Sequence, residues 1–313
     1  MGYEVRRLTG LTAGLFLVCG GVAQAQQSGP TASSSVAGPA VGIDVFASSD
    51  ADDTEVLKVG IDADWRYSGP DDYVGVRLET TAFRPLGEAG VDDRRLYLRF
   101  ARSADWSWKG QVGSDGQTIL GGVSVHNGER FRQEYFVERE IVETARGVDE
   151  GLYYTFVGGA FDLPMNDRTT LSAVVGLQAF TGDNVRTHVR ANIVQVLKED
   201  WGLSAQLRTR YFQNSHPGEY DYFSPEWHAE LMPVLQIRRR RAGWRYVIAG
   251  GVGAQRTAGA TWRSARYFNA QVVGPTIARS WALTGAFTYS NTPISSGYTY
   301  AYSQVNLGLR RIF

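Results

Sequence analysis

Alternation of apolar and polar side chains is the feature that most constrains how this chain folds. Near the C-terminus, Val305, Leu307 and Leu309 are separated by Asn306 and Gly308. A period of two residues places the apolar side chains on one face of a strand and the polar ones on the other. The same alternation recurs in residues 57–66, 95–100, 203–208 and 230–238. The pattern predicts β-strands along the whole chain.

The length of these segments favours a membrane protein over a soluble sandwich. Each spans about 10–14 residues, whereas strands in soluble sheets average about five or six and tilted membrane strands need about ten. Aromatic residues gather near the segment ends, as in the girdles of membrane barrels. These residues are Trp65, Tyr67, Trp201, Tyr211, Trp244, Tyr246, Trp281 and Tyr289. Because a bilayer offers no water to unpaired backbone groups, such strands must close into a barrel.

The connections between segments support this prediction independently. We count about sixteen segments, none interrupted by a helix. They start near residues 40, 54, 72, 93, 106, 117, 130, 151, 168, 184, 201, 227, 242, 261, 280 and 300. Connections after even-numbered segments are short (68–71, 164–167, 198–200, 240–243), and several after odd-numbered segments are longer (84–92, 141–149, 213–226, 291–299). Short periplasmic turns and longer outer loops are typical of outer-membrane barrels. We therefore expect an all-β, antiparallel, up-and-down transmembrane β-barrel with both termini in the periplasm.

The first 25 residues have the pattern of a signal peptide. Arg6 and Arg7 precede an apolar, glycine-interrupted run over 8–22, and Ala23 and Ala25 flank Gln24 in a small-x-small cleavage site. We expect cleavage after Ala25, a flexible leader over 26–39 and a barrel over 40–313. Cleavage would remove the single cysteine, Cys19. The expected location is the outer membrane of a Gram-negative bacterium, with its lipid as the first partner.

Composition excludes several other classes of function. Thirty-two Lys and Arg residues balance 32 Asp and Glu, so nothing indicates a nucleic-acid partner. Thirty-six Gly and 38 aromatic residues (16 Tyr, 14 Phe, 8 Trp) suit an all-β protein. There is no Cys or His cluster with metal-ligand spacing and no glycine-rich phosphate motif between a strand and a helix. We expect no cofactor and no metal.

The C-terminus carries a second targeting signal. Phe313, preceded by alternating apolar residues, resembles the recognition signal of the outer-membrane barrel assembly machinery, although Arg311 stands where an apolar residue is more usual. This resemblance implies that the assembly machinery is a partner through Phe313.

Several short motifs in the second half resemble one family of export barrels. They lie at 140–144, 151–154, 208–211 and, above all, at Tyr222-Phe223-Ser224-Pro225-Glu226. They are similar to the C-terminal barrels of the poly-N-acetylglucosamine export porin and of the cellulose synthase operon protein C. The segments 242–246 and 250–253 are similar to the cellulose-type member.

The resemblance implies a sixteen-strand barrel that exports an exopolysaccharide. The exporters of that family carry a long periplasmic array of helical repeats before the barrel, where this chain has only its Ser- and Ala-rich leader. Either a separate periplasmic helical-repeat protein supplies that role as a partner, with the polysaccharide itself as the cargo, or this barrel has another function.

If the apolar faces contact lipid, charged residues line the lumen and the substrate path. The candidates are Asp44, Asp62, Asp64, Arg66, Glu79, Arg95, Arg99, Glu134, Glu138, Arg190, Arg208, Arg210, Glu230, Arg245 and Arg310, together with Lys58, Arg77 and His188. Acidic groups concentrate in the first half and arginines in the second, which predicts an acidic half of the lumen facing an arginine half. These charges either bind sugar beside aromatic rings or pair across the lumen and hold it together.

Three functions remain compatible with the sequence. The first is export of an exopolysaccharide, and the second is a general diffusion or structural barrel. The third is a hydrolase at the outer rim, since His216 and His228 bracket a long loop that contains Glu219, Asp221 and Ser224. No spacing in this loop singles out a nucleophile and a base, so we expect no enzyme activity.

Overall fold

The chain forms a closed barrel of sixteen antiparallel strands, seen in a computed structural model that describes residues 38–50, 54–85, 89–275, 280–292 and 301–313. Each strand pairs with its neighbours in sequence, and β1 pairs with β16 to close the ring. The strands are β1 Gly38–Asp50, β2 Glu55–Gly69, β3 Asp72–Arg84, β4 Val91–Arg102, β5 Trp106–Ser114, β6 Ile119–Asn127, β7 Arg132–Ile141, β8 Tyr153–Pro164, β9 Thr169–Phe180, β10 Val185–Lys198, β11 Leu203–Asn214, β12 Trp227–Arg241, β13 Trp244–Thr257, β14 Arg263–Val273, β15 Trp281–Ser290 and β16 Tyr302–Ile312. The predicted fold class and strand number are confirmed, and each strand begins within two residues of its predicted start. The predicted signal peptide and most of the leader lie outside the described residues.

One helix interrupts the strands, contrary to the expectation that none does. Helix α1, Ala145–Asp149, lies in the connection between β7 and β8. The Thr144 side chain caps it by accepting a hydrogen bond from the backbone N–H of Gly147 at 3.1 Å. No helix among the described residues is long and apolar enough to cross a bilayer.

The outward face of the barrel is apolar. Leu78, Leu235 and Val252 are 59%, 58% and 66% exposed, while the inward side chains that flank Leu78, those of Arg77 and Glu79, are largely buried. Exposed Trp65, Trp201 and Trp281 lie at one end of the barrel, next to the short turns. An apolar exterior around a polar interior, with aromatics at the rim, is the arrangement of a barrel that spans a membrane.

The two ends of the barrel differ. The turn end carries the short connections after β2, β8, β10 and β12, and the loop end carries the long connections 142–152 and 215–226. The largest cluster of buried apolar side chains lies inside the barrel at the loop end. It comprises Val142, Leu152, Tyr154, Phe156, Phe180 and Tyr222. The two long loops therefore fold inward and pack against the inner wall.

Candidate transport lumen

One side of the lumen, formed by β1–β4 and β16, holds a network of paired charges. We call it the paired wall, and its members are Asp44, Asp62, Asp64, Arg77, Glu79, Arg95, Arg99 and Arg310. It contains four carboxylates and four guanidinium groups. The predicted acidic half of the lumen is therefore wrong for this wall. Cross-strand pairing sets Asp62 opposite Arg77 and Glu79 opposite Arg95, so opposite charges meet within the wall.

Asp62 is the centre of the paired wall. Its side chain is fully buried and contacts the guanidinium groups of Arg77 at 3.3 Å, Arg310 at 2.7 Å and Arg99. A buried carboxylate is costly to desolvate unless several donors satisfy it. Three guanidinium groups from β3, β4 and β16 meet that requirement, so one side chain of β2 links these strands on both sides of it.

Glycine makes room for this network. Gly75 faces the lumen opposite Asp64, and a Cβ at this position would approach the backbone oxygen of Ala63 to 2.5 Å. Gly60 likewise leaves space for the guanidinium of Arg77. The close approach of backbone therefore requires a residue without a side chain at Gly75, whereas Gly60 gives the Arg77 side chain its present position.

Two of the remaining predicted carboxylates have local partners. Glu134 accepts a hydrogen bond from Arg132 at 2.8 Å, and Glu138 accepts one from the Tyr154 hydroxyl at 2.5 Å. Both lie on the inward face of β7, below the long loop. A third carboxylate of this strand, Glu140, was not predicted; it is buried and lies 3.4 Å from Arg95.

Arg66 is the predicted lumen residue that the structure places elsewhere. A β-bulge shifts the register between Asp64 and Arg66, which reverses the alternation beyond it. The Arg66 side chain is therefore half exposed at the turn end, where it contacts Asp72 at 3.1 Å. Tyr67, expected in the outer girdle, is buried and lies under the guanidinium of Arg310 at 4.9 Å.

The other side of the lumen, formed by β10–β13, is rich in arginine. Arg190 and Arg210 lie directly opposite each other on β10 and β11, and Arg208 lies one inward position closer to the turn end. Arg245 lies near the turn end of β13. Glu230, opposite Arg210, accepts a hydrogen bond from Thr292 at 2.6 Å.

Arg186 is a further lumen residue that the sequence analysis missed. It lies on the inward face of β10 at the loop end, with its guanidinium over the rings of Phe180, Phe212 and Tyr222 at 5.0, 4.7 and 5.8 Å. It also donates a hydrogen bond to the backbone oxygen of Phe223 at 2.5 Å. Its even-numbered position, in phase with His188 and Arg190, is the signal that could have identified it.

The loop between β7 and β8 crosses the lumen. Glu143, two residues beyond β7, forms an ion pair with Lys58 on β2, and these strands lie five places apart in the ring. Both side chains are largely buried. We call this contact the lumen strap. Sequence alternation cannot predict it because Glu143 lies in a loop.

The second long loop is fixed to the first and to the wall. Asp221 accepts hydrogen bonds from the Thr144 hydroxyl at 2.6 Å and from the backbone N–H of Arg146 at 2.9 Å. Tyr222 stacks on Phe180, with ring centroids 4.2 Å apart, and its hydroxyl accepts a hydrogen bond from Asn184 at 2.8 Å. Burial raises the pKa of Tyr222 to about 12, so its hydroxyl stays protonated at neutral pH.

The loop histidines occupy different environments. His216 is exposed, with Nδ1 2.9 Å from the backbone oxygen of Asp183. His228 is fully buried and stacks on Phe212, with ring centroids 5.0 Å apart. Between them, Ser224 donates a hydrogen bond to the backbone oxygen of Tyr222. These contacts hold the inward loop in place. No group of three or more potential metal ligands occurs within the described ranges.

Comparison with known proteins identifies related folds. No protein-family model and no curated protein sequence matches the chain. Among solved structures, it is similar to one described as a bacterial polysaccharide outer membrane secretin, with a TM-score of 0.62 and 13% identity over 87% of this chain and 98% of that chain. Weaker similarities include Pseudomonas aeruginosa OccK5 (OpdH), with a TM-score of 0.43 and 8% identity over 88% and 98%, and an anion-selective porin from Comamonas acidovorans, with 0.41 and 11% over 89% and 99%. At these identities the comparison with the secretin shows the fold, a closed outer-membrane-type barrel of sixteen strands.

Proposed function

We propose that this chain is exported by a signal peptide cleaved after Ala25, inserts into the outer membrane of a Gram-negative bacterium, and passes an exopolysaccharide through its lumen. The observation that carries the proposal is the position of the segment 222–226, which resembles the polysaccharide exporters. Tyr222 and Ser224 are buried inside the barrel rather than exposed above it. The family-like residues therefore belong to the lumen, where a polymer would meet them.

The chemistry of the inner wall supports a sugar as cargo. The ring of Tyr267 is partly accessible inside the barrel and lies 4.6 Å from the guanidinium of Arg208. Aromatic rings cover the apolar faces of sugars, and charged or amide groups satisfy their hydroxyls. A barrel of sixteen strands is wide enough for an aqueous path where loops leave it open.

A general diffusion pore or a structural barrel is the second candidate. The paired wall favours it, because the charges of β1–β4 and β16 satisfy each other and hold the strands together. A hydrolase at the rim is not proposed, since the contacts of His216, His228 and Ser224 do not assemble a nucleophile with a base.

Deletion of the gene in its native host tests the proposal. Loss of the barrel should remove polymer from the cell surface and leave it in the periplasm, and wild-type protein should restore export. Tyr222→Ala should restore less polymer, because the inward loop loses the ring that stacks on Phe180 and holds it against the inner wall. Tyr211→Ala, which removes an outward, lipid-facing ring from β11, should restore export fully. Unchanged surface polymer in the deletion strain would favour the diffusion or structural barrel.

The separate helical-repeat partner belongs to the same proposal. Cross-linking in the native host should recover a periplasmic helical-repeat protein with the barrel. Export that proceeds in a strain without any such protein would show that the barrel works without that partner.

A further inference from the structure

The inward face of β10–β13 carries seven arginines and one carboxylate. We call it the arginine wall, and its arginines are Arg186, Arg190, Arg208, Arg210, Arg238, Arg240 and Arg245. Glu230 is the one acidic residue at the inward positions of these four fully described strands. The paired wall, in contrast, has equal numbers of both charges. The net charge of the arginine wall is therefore positive, and that of the paired wall is zero.

The arginines form a continuous path along the barrel axis. Arg245 on β13 and Arg238 on β12 lie near the turn end, because the turn at 242–243 joins these strands. Arg208 lies nearer the middle of the barrel, on β11. The pair Arg190 and Arg210 lies one inward position further towards the loop end. Arg186 completes the path under the inward loop at the loop end.

Aromatic rings hold several of these guanidinium groups flat against the wall. The guanidinium of Arg208 lies 4.6 Å from the ring of Tyr267, and that of Arg210 lies 5.3 Å from Phe212. Stacking uses the face of a guanidinium and leaves its N–H edge for an acceptor. The Nε atom of Arg210 is buried without a hydrogen-bond acceptor among the described residues.

This arrangement suits a polymer that carries regular negative charges. A guanidinium edge binds a carboxylate through two parallel hydrogen bonds, and the neighbouring rings accommodate sugar faces. A neutral polymer would bring no negative charge to this wall, and a cationic polymer would be repelled by it. We propose that the cargo is an acidic polysaccharide bearing carboxylates on its sugar units, with the arginine wall as its track. The inference rests on the proposed export function.

Binding of charged oligosaccharides tests this assignment. Folded protein in detergent is titrated by calorimetry with an oligogalacturonate, a neutral maltooligosaccharide and a cationic chitosan oligosaccharide of similar length. We expect the oligogalacturonate to bind at least about tenfold more tightly than the neutral sugar, since each charge-assisted hydrogen bond contributes over 1 kcal/mol. Its affinity should fall as salt rises.

A matched pair of variants locates the binding to the lumen. Arg190→Gln combined with Arg210→Gln should reduce oligogalacturonate affinity about tenfold or more. Arg239→Gln removes one arginine from the opposite face of β12, where Arg239 contacts the backbone oxygen of Asp200, and should leave affinity unchanged. Faster migration of unheated than of heated protein on a gel confirms that each variant is a closed barrel.

Two results overturn the inference and are distinguishable. Equal or tighter binding of the neutral or cationic sugar, unaffected by the arginine variants, refutes an acidic cargo and leaves polysaccharide export standing. Absence of binding by all three sugars refutes the acidic track, and an unchanged amount of surface polymer in the deletion strain would then refute export as well.

Discussion

At the scale of single residues, Asp62 shows how the lumen tolerates buried charge. Its carboxylate is inaccessible to water, and it contacts arginines from three strands. The mutual attraction compensates the cost of desolvation only while all partners are present. Removing the carboxylate would leave Arg77, Arg99 and Arg310 close together without their shared counter-charge.

We expect Asp62→Asn to destabilise the folded barrel by about 3–5 kcal/mol, the cost of breaking a buried ion pair on one side. Asp72→Asn is the control, because Asp72 pairs with Arg66 at the exposed turn end and should contribute less than about 1 kcal/mol. Urea titration of the reconstituted protein, followed by gel migration, measures both. Equal stability of the two variants would mean that the paired wall does not hold the barrel together.

Side-chain alternation in the sequence predicts the inward direction of most lumen residues but not of all. Asp44, Glu79 and Arg310 lie inward as their positions predicted, because strand geometry fixes the direction of each side chain. Arg66 and Tyr67 deviate because one bulge reverses the phase. An extra residue in one strand leaves no mark in the local hydrophobic pattern, so sequence alone does not reveal it.

At the scale of elements, the lumen strap holds the first long loop against the wall on the β2 side. Lys58 and Glu143 join β2 to a loop from β7, and Asp221 fastens that loop to the second long loop. The Lys58–Glu143 ion pair is buried, so loss of one partner should release the loop from the wall.

Glu143→Gln should therefore raise single-channel conductance in planar bilayers, because the loop no longer crosses the lumen. The exchange of both charges, Lys58→Glu with Glu143→Lys, should return conductance towards the wild-type value. Asp92→Asn removes an exposed ion pair with Arg84 and should change nothing. Identical conductance of Glu143→Gln and wild type would show that the strap does not limit the path.

The C-terminal end of β16 carries the residues expected to direct barrel assembly. Phe313 is exposed at the turn end, and Arg311 extends its guanidinium over the rings of Trp281 and Phe313 at 5.4 and 4.7 Å. The charged residue that interrupts the apolar pattern thus lies against the aromatic rim, where such side chains are tolerated. We propose that the assembly machinery recognises Phe313.

Phe313→Asp should lower the amount of barrel in the outer membrane and leave the chain in the periplasm for degradation. Phe313→Trp retains an aromatic terminus and should assemble normally. Immunoblots of fractionated cells measure both variants. Normal outer-membrane levels of Phe313→Asp would place the assembly signal elsewhere.

The sequence predicts a strand or helix when that element is long enough to show several repeats of its period. Strands of nine residues or more show several alternations and were placed within two residues of their starts. Helix α1 has five residues, little more than one turn, so it shows no helical period. The contact of Thr144 at its N-terminus with Asp221 is a tertiary feature that the local pattern does not encode.

At the scale of the whole molecule, the barrel follows from the sequence but the distribution of charge does not. Strand number, order and closure follow from repeated alternation and from the requirement that no backbone group remain unpaired in a bilayer. The pairing register of adjacent strands determines which charged residues lie opposite each other. The carboxylates of the first strands therefore face arginines of adjacent strands, and Arg186 and Glu140 join the lumen without having been predicted.

Consecutive residues of one barrel strand face lipid and lumen in turn, and a nitroxide scan of β12 measures this alternation. A chain beginning at residue 26 has no cysteine, so single cysteines at positions 231–237 carry the label without competition. In reconstituted vesicles, accessibility to lipid-dissolved oxygen should peak at Leu231, Leu235 and Ile237 and fall to a minimum at Met232, Val234 and Gln236. A period of two residues is the predicted result. Uniformly low accessibility, or a period near 3.6 residues, would contradict a membrane-spanning barrel with a polar lumen.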